Sequence, residues 1–311
     1  MLDAQQNAFN NGYDFSVFLA TLGVALDGDV VTGKMSIGCD ATERTAVLPI
    51  ITPLTGRETG LNTHNVGDNP HLPPKSSTLT LSLPTSQKFE LDTSLSRQDA
   101  YFGDQFTFDP SLFAQMAATT NNVFDQNGII QYKVLRYNQS RADNPNFYFG
   151  PKNAILNNGA ASFLFEVYPN YGNEGVPDLA TISSFFGTKK LADGTFSKSS
   201  GETFPPNWHS RRTPYLFPLV NLNVVKQYTA ELVQGALIGG NAGKGNFIPS
   251  GDGKLASADP KDVQCLWYEI ATDNVPTSLQ GPIGLVTDVL KFITGKLNPM
   301  FGNFGCQTKN F

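Results

Sequence analysis

The sequence lacks the features that would place it in a membrane or on nucleic acid. Its 311 residues contain no apolar run of the ~18–20 residues that a membrane-spanning helix needs. No Lys/Arg-rich run occurs, and the net charge is -5, so we expect no nucleic-acid partner. Residues 1–7 carry neither a basic segment nor an apolar segment, so they do not form a signal peptide.

Cysteine is scarce, and its placement carries information. Cys39 has no Cys or His at zinc-ligand spacing, which indicates a partly buried thiol. Cys265 and Cys306 bracket the last predicted helices, and a disulfide there would stabilise the fold by ~3–4 kcal/mol in an oxidising compartment. A single Asn-x-Ser sequon lies at Asn138, where chance is an equally good explanation as glycosylation. The composition is typical of extracellular proteins, although the N-terminus has no signal peptide. We therefore expect a chain that has lost an N-terminal segment.

The residues that are abundant predict a folded, mostly helical protein. The 23 Phe and 10 Tyr supply enough apolar area for a large core. Apolar spacing near 3.6 and Asp-Pro starts predict helices in the first ~27 residues, from Asp109-Pro110, after Gly128, over 154–167 and 177–186, from Asp259-Pro260, and over 283–294 with a stop at Gly295. The expected fold is a single mostly α domain over residues 1–311, with a minor β hairpin and long loops.

Three regions give weaker signals. Residues 28–88 are irregular and proline-rich, with a short alternating piece over 78–83 that could be a strand. Residues 187–204 are predicted to be a loop. Within 213–250, the apolar residues from Val220 to Val225 alternate loosely like a strand, and glycines follow over 235–245. These glycines lack the strand–glycine–helix order and the Lys-Ser/Thr ending of a phosphate-binding loop.

The densest functional pattern is an acidic stretch that begins at Glu90. Glu90, Asp92 and Ser94 lie at i, i+2 and i+4, so two carboxylates and a hydroxyl can meet on one side of a turn. Such hard oxygen ligands suit Mg²⁺ or Mn²⁺. The alternative is a capped acidic turn without a metal, in which Arg97 and Asp99 form an ion pair that holds the segment.

The stretch from Glu90 to Gly103 resembles the signature of the fungal haem-thiolate haloperoxidases and unspecific peroxygenases, the family typified by chloroperoxidase. Only Leu91 departs from the signature pattern. Further segments similar to the family are Leu26-Asp27-Gly28-Asp29, Leu61-Asn62-Thr63-His64, Asp109 to Phe113, Asn144-Pro145-Asn146-Phe147 and the pair Cys265 and Cys306. The sequence is identified as a member, and the resemblance implies a helical chloroperoxidase-like fold.

The resemblance also implies chemistry. Family members hold haem through a cysteine thiolate and use a distal glutamate as acid and base on peroxide. A Mg²⁺ or Mn²⁺ ion lies beside a haem propionate, and its ligands here would be Glu90, Asp92, Ser94 and the carbonyl of Leu91. The implied protein is a secreted oxidoreductase of fungal secondary metabolism that acts on a small hydrophobic molecule.

Two parts of the family pattern are absent from the sequence. The haem thiolate of the family lies in a Pro-Cys-Pro motif upstream of the first long helix, and this chain begins at that helix. The distal glutamate and its orienting arginine fall at Ala160 and Asn153, so we assign no catalytic residue. Glu166 lies two turns further along the predicted helix, and Glu202 is assigned to a later loop.

Three functions are therefore weighed. The first is a haem peroxidase or peroxygenase that oxidises aromatic or polyketide-type molecules once the thiolate segment is restored. The second is a haem-free enzyme, such as a cyclase, isomerase or hydrolase, that reuses an apolar pocket lined by helices carrying Phe163 and Phe165. The third is a non-catalytic binding protein. The sequence carries no signal for an oligomeric state.

Overall fold

A computed structural model describes residues 10–22, 92–102, 108–166, 176–198, 201–205, 211, 213–273 and 285–311. The chain divides into two compact units. The first comprises Met1–Gly12 and Asp92–Ala256, and the second comprises Tyr13–Leu91 and Ser257–Phe311. The single domain over residues 1–311 stays a prediction.

The described residues form eight α-helices and five short strands. The helices are α1 Tyr13–Leu22, α2 Pro110–Thr119, α3 Gln126–Asp143, α4 Pro151–Glu166, α5 Leu179–Phe186, α6 Phe217–Val233, α7 Pro260–Asp273 and α8 Leu285–Asn303. The strands are β1 Tyr148–Phe149, β2 Thr188–Lys190, β3 Phe196–Lys198, β4 Gly239–Asn241 and β5 Phe247–Pro249. The mostly α fold class is confirmed. No helix within the described ranges is long and apolar enough to cross a bilayer.

Aspartate side chains start three of these helices. Asp109 accepts hydrogen bonds from the backbone N–H groups of Ser111 (2.8 Å) and Leu112 (3.2 Å) at the start of α2. Asp125 and Asp178 cap α3 and α5 in the same way. Each such cap is worth ~1 kcal/mol because it satisfies backbone donors that have no partner inside the helix. The helix predicted from Asp109-Pro110 is confirmed.

In the first unit, α2, α3, α4 and α5 contribute to one buried cluster. α4 and α3 both pack against α6, and α2 packs on α3. The cluster consists of Phe113, Met116, Ala117, Phe124, Ile129, Tyr132, Ala161, Leu164, Ile182 and Phe196. The hydroxyl of Tyr132 lies 2.9 Å from the carbonyl oxygen of Leu95 and 2.7 Å from that of Leu112. Burial raises the pKa of Tyr132, so its hydroxyl remains a hydrogen-bond donor.

Two antiparallel sheets lie beside these helices. The first has the order β1-β4-β5, in which Tyr148 pairs with Gly240 and Gly240 pairs with Ile248. The second is the hairpin β2–β3, in which Lys189 pairs with Ser197. The loop predicted over 187–204 was therefore wrong over the hairpin. The sequence feature that indicates this hairpin is Asp193-Gly194, a dipeptide that favours tight hairpin turns.

The strand-like reading of residues 220–225 was also wrong, because they belong to α6. The buried side chains of this helix include Val220, Val224, Gln227 and Glu231, which recur at helical spacing. Half of that face is polar. When only the apolar residues over 220–225 are considered, their spacing resembles the two-residue period of a strand.

In the described part of the second unit, α1, α7 and α8 pack together. The ring of Phe18 on α1 meets Trp267 on α7 edge-on at 5.4 Å and lies 6.0 Å from Phe301 on α8. The stop predicted at Gly295 was wrong, since α8 continues to Asn303. Ile293, Leu297 and Phe301 recur every four residues and are fully buried, so packing outweighs the glycine. The parts of the first predicted helices before residue 10 and after residue 22, and the strand at 78–83, lie outside the described residues.

The structure contains the disulfide bond between Cys265 and Cys306, whose Cα atoms are 5.4 Å apart. It joins α7 to the segment after α8 across 41 positions. Closing a loop of this length in the unfolded chain costs ~3–4 kcal/mol of entropy, which the disulfide removes.

We expect Cys306→Ser to lower the free energy of unfolding by ~3–4 kcal/mol for this reason. Urea unfolding with and without dithiothreitol measures it. Reduction should destabilise the wild type by a similar amount and leave the variant unchanged. A wild type that is indifferent to reductant would contradict the assignment.

Candidate functional site

The structure describes the signature stretch from Asp92 to Phe102, whereas Glu90 and Leu91 lie outside the described residues. Residues 92–99 form a turn, here called the signature turn, that closes on the buried carboxylate of Asp99. One oxygen of Asp99 accepts from the backbone N–H of Thr93 (3.1 Å) and from the hydroxyl of Ser140 (3.0 Å). The other accepts from the Asn144 amide at 3.0 Å. These contacts tie the turn to the end of α3.

The cation that faces Asp99 is Arg136 on α3, at 3.5 Å from the carboxylate. Both side chains are buried. The Nε of Arg136 also donates to the carbonyl oxygen of Ser94 (3.0 Å), and Nη1 donates to Gln139 (2.9 Å). The ion pair that anchors the signature turn is thus made with Arg136 rather than with the Arg97 of the sequence alternative.

We expect Asp99→Asn to lower the free energy of unfolding by about 2–3 kcal/mol. The asparagine side chain has the same shape as aspartate, but its amide N–H groups would face groups that donate to Asp99. The substitution also leaves Arg136 without its counter-charge. Chemical denaturation measures the loss. Asp143→Asn is the matched control at the end of the same helix, where the carboxylate is exposed beside Lys244, and should change stability by less than about 0.5 kcal/mol. Equal effects would contradict the role given to Asp99.

Thr93 adopts a left-handed backbone conformation, with φ 72°. This conformation is unfavourable for a β-branched residue and persists only where its surroundings hold it. Asn157 on α4 holds it here, because its amide nitrogen donates to the carbonyl oxygen of Asp92 (3.1 Å) and to the hydroxyl of Thr93 (2.8 Å). The signature turn is therefore fixed from α4 as well as from α3.

Asp92 is the one predicted metal-ligand carboxylate that the structure describes. Its Oδ2 accepts from the backbone N–H of Tyr148 on β1 at 3.0 Å. Removal from water and the nearby charge of Asp99 raise the pKa of Asp92 well above its ordinary value, although that hydrogen bond and Arg136 oppose the rise. A carboxylate in this setting would be stabilised in its charged form by an additional cation.

The cation site itself stays a prediction. Asp92 and Ser94 lie in the signature turn, and the positions of Glu90 and Leu91 are not described. Within the described ranges, no three His, Cys, Asp or Glu side chains gather as a metal site would require.

The two positions at which the resemblance places the distal pair, 153 and 160, lie on α4. Asn153 is buried and has structural partners: its Oδ1 accepts from the Gly150 N–H (3.2 Å), and its amide donates to the carbonyl oxygen of Tyr148 (3.0 Å). It therefore helps to start the helix. Ala160 is exposed, and its methyl group has no proton to transfer.

The two other carboxylates that the sequence raised have partners of their own. Glu166, near the end of α4, accepts from Arg211 both at its carbonyl oxygen (2.7 Å) and at its carboxylate (3.1 Å). Glu202 is exposed and forms an ion pair with Lys198 on β3. Both carboxylates are therefore engaged by basic side chains.

The predicted glycosylation site lies in a helix rather than in a loop. Asn138 is exposed on α3. The sequon's Ser140, however, is buried and gives its hydroxyl to Asp99. Its serine thus has a structural role, and glycosylation of Asn138 stays a prediction.

A buried charged cluster between α3, α4 and α6 was not found by sequence reasoning. Lys133 forms an ion pair with Glu231 at 3.0 Å, and both side chains are almost fully buried. Lys133 also donates to Asn158, whose amide donates to Glu231 at 3.2 Å. Gln227 donates to the carbonyl oxygen of Asn158 at 2.9 Å. The sequence feature that could have indicated this cluster is the presence of polar residues on otherwise apolar helix faces.

The sequence was compared with protein families and with known proteins. The family model of Peroxidase, family 2, matches residues 1–213, and the chain belongs to this family. It is 26% identical to the aromatic peroxidase fscJ of Fusarium equiseti, over 98% of this chain and 69% of that protein. It is 25% identical to the dothistromin biosynthesis peroxidase dotB of Dothistroma septosporum, over 98% and 72% of the two chains. An aromatic peroxygenase of Coprinellus radians is 26% identical over 65% of this chain and 70% of its own length.

Proposed function

We propose that the protein is a peroxide-dependent oxidoreductase that acts on an aromatic or polyketide-type small molecule. The carrying observation is the family match over residues 1–213, which includes the signature turn that Asp99 and Arg136 hold in place. The printed names of the relatives, an aromatic peroxidase and a peroxidase of dothistromin biosynthesis, support this substrate class. Haem would be the cofactor, with Mg²⁺ or Mn²⁺ bound at Glu90, Asp92 and Ser94. The disulfide bond supports secretion.

The described residues do not fit the roles that haem requires. Within the described ranges the cysteines are Cys265 and Cys306, which are bonded to each other. Cys39 and the three histidines lie outside these ranges. The resemblance places the distal acid at Ala160, whose side chain has no acidic group. The proposed activity therefore requires an axial cysteine from a segment that the described residues do not include.

An absorption spectrum with haemin tests the proposal most directly. The chain, and the same chain preceded by its upstream coding sequence, would be purified, mixed with haemin and assayed for oxidation of naphthalene and veratryl alcohol with and without hydrogen peroxide. We expect a thiolate-type Soret band and peroxide-dependent products in the extended protein. A featureless visible spectrum in both proteins would refute it. Metal analysis of the wild type and Asp92→Asn tests the cation site in the same preparations.

The side chains on α4 favour a second candidate, a haem-free member of the family. Asn153 is committed to the start of the helix, and Ala160 offers no acid. Against it, the rings proposed for its apolar pocket have structural partners: Phe165 packs on the core cluster, and Phe163 meets Tyr215 at 6.3 Å. Conversion of a hydrophobic metabolite without peroxide would favour this candidate. Strict dependence on peroxide and haemin would exclude it.

A further inference from the structure

A groove with a volume of about 680 Å³ opens on the first unit beside α3. We call it the α3 groove, and its lining includes Gln98, Tyr101, Phe102, Arg136, Gln139 and Lys244. Neither Asp92 nor Ala160 lines it. Its volume lies within the range of ~300–1,000 Å³ that is usual for small-molecule sites.

Two exposed aromatic rings form one wall of the groove. Tyr101 is 50% exposed and Phe102 is 46% exposed, which is unusual for neighbouring large side chains. Their ring centroids are 5.3 Å apart, and their planes are nearly perpendicular, at 79°. A flat ring that stacks on one of them meets the other edge-to-face, and both geometries are favourable for aromatic pairs. The corner therefore suits an aromatic ligand better than an aliphatic one.

Hydrogen-bonding groups lie beside this corner. Arg136 is 4% exposed, and its buried Nη2 lies against Asp99, so this atom does not donate to a ligand in the groove. Gln139 uses its carbonyl oxygen to accept from Arg136, which leaves its amide N–H groups to donate. Gln98 uses its amide N–H on Asp109 at 2.7 Å, which leaves its carbonyl oxygen to accept. The groove can thus both donate to and accept from hydroxyl groups.

The charges of the groove are balanced. Arg136 lies against Asp99, and Lys244 lies 3.4 Å from Asp143, which also lines the groove. No cation in the described lining lacks a carboxylate partner of this kind. A ligand with a net charge would therefore face an opposing charge beside every attractive one, and the groove favours a neutral molecule.

We propose that the α3 groove binds a neutral polyhydroxylated aromatic compound. The ring stacks in the corner of Tyr101 and Phe102. One hydroxyl oxygen accepts from an amide N–H of Gln139, and another hydroxyl donates to the carbonyl oxygen of Gln98. This site goes beyond the proposed oxidation, because binding there requires neither peroxide nor haem.

Ligand-observed NMR on the full chain, without haemin or peroxide, tests this site. The probes are phloroglucinol, toluene, benzoate and cellobiose, each titrated at low and high salt. We expect phloroglucinol to bind, with less than about a twofold change in Kd between 50 and 500 mM salt, because no net charge is involved. Tyr101→Ala should weaken it about fivefold or more, as expected for loss of one aromatic contact. Gln139→Leu should also weaken it. Tyr13→Ala, which removes an 85% exposed tyrosine outside the groove, should have no effect.

Each other outcome overturns the site. Phloroglucinol binding that is indifferent to Tyr101→Ala would place the ligand elsewhere. Equal binding of toluene would remove the role of the hydroxyl-binding groups. Preferential, salt-sensitive binding of benzoate would make the groove an anion site, and preferential binding of cellobiose would make it a carbohydrate site. Failure of peroxide-dependent oxidation leaves this result untouched, so the two proposals fail separately.

Discussion

Replacing Ala160 by glutamate is expected to raise the rate of peroxide-dependent oxidation by a factor of about 10²–10⁴. A positioned general acid–base group contributes a factor of this size, because it moves a proton in the transition state. Position 160 is where the resemblance places the distal acid, and it lies on α4 with an exposed methyl group. The longer side chain can therefore be accommodated without disturbing the core. Steady-state rates with the chain that carries the axial cysteine measure the gain.

The matched control for this gain is Ala160→Gln, which has the same shape but no titratable proton. We expect glutamine to leave the rate within about a factor of three of the wild type. If both variants gain equally, the effect comes from packing or substrate binding. If neither gains, the alignment of Ala160 with the distal acid is wrong, or the chain has no peroxide chemistry for an acid to assist.

Local signals explain why much of the fold could be predicted. The starts of α2 and α5 follow from Asp109 and Asp178, whose carboxylates cap the helix within their own first turn. Such interactions involve residues two or three positions apart, so the sequence displays them directly. The same holds for α7, which begins at Pro260 directly after Asp259.

Elements that depend on distant partners could not be predicted in this way. The polar face of α6 is stable only because Lys133 and Asn158, on two other helices, meet Glu231. α8 passes through Gly295 because its far end is held by buried side chains such as Phe301. In both cases tertiary packing overrides the local pattern.

In the candidate site, too, local spacing could be predicted from the sequence, whereas contacts with distant residues could not. The spacing of Glu90, Asp92 and Ser94 suggested a cation, and Asp99 was considered only as a partner of Arg97. The structure instead makes Asp99 the buried centre of the turn, and its partners Ser140, Asn144 and Arg136 come from α3 and the residue after it, far along the chain. A linear motif does not show which of its acids is structural, since the deciding donors lie elsewhere in the chain.

Replacing Lys133 by methionine is expected to lower the free energy of unfolding by about 3–5 kcal/mol, because it leaves the Glu231 carboxylate buried without its counter-charge. Burial lowers the pKa of Lys133, and Glu231 opposes this, so the charged lysine depends on its partner. Urea unfolding monitored by circular dichroism gives the value. Lys244→Met, at an exposed ion pair with Asp143, is the control and should change stability by less than about 0.5 kcal/mol.

The double variant Lys133→Met/Glu231→Leu distinguishes the loss of an attraction from the creation of an isolated charge. It removes both charges, so it should be at least about 2 kcal/mol more stable than the sum of the single effects predicts. It should not regain the wild-type value, since Asn158 loses hydrogen bonds at both its amide oxygen and its amide nitrogen. Additive single effects would show that water reaches the cluster and that Lys133 and Glu231 are not coupled through a dry interior.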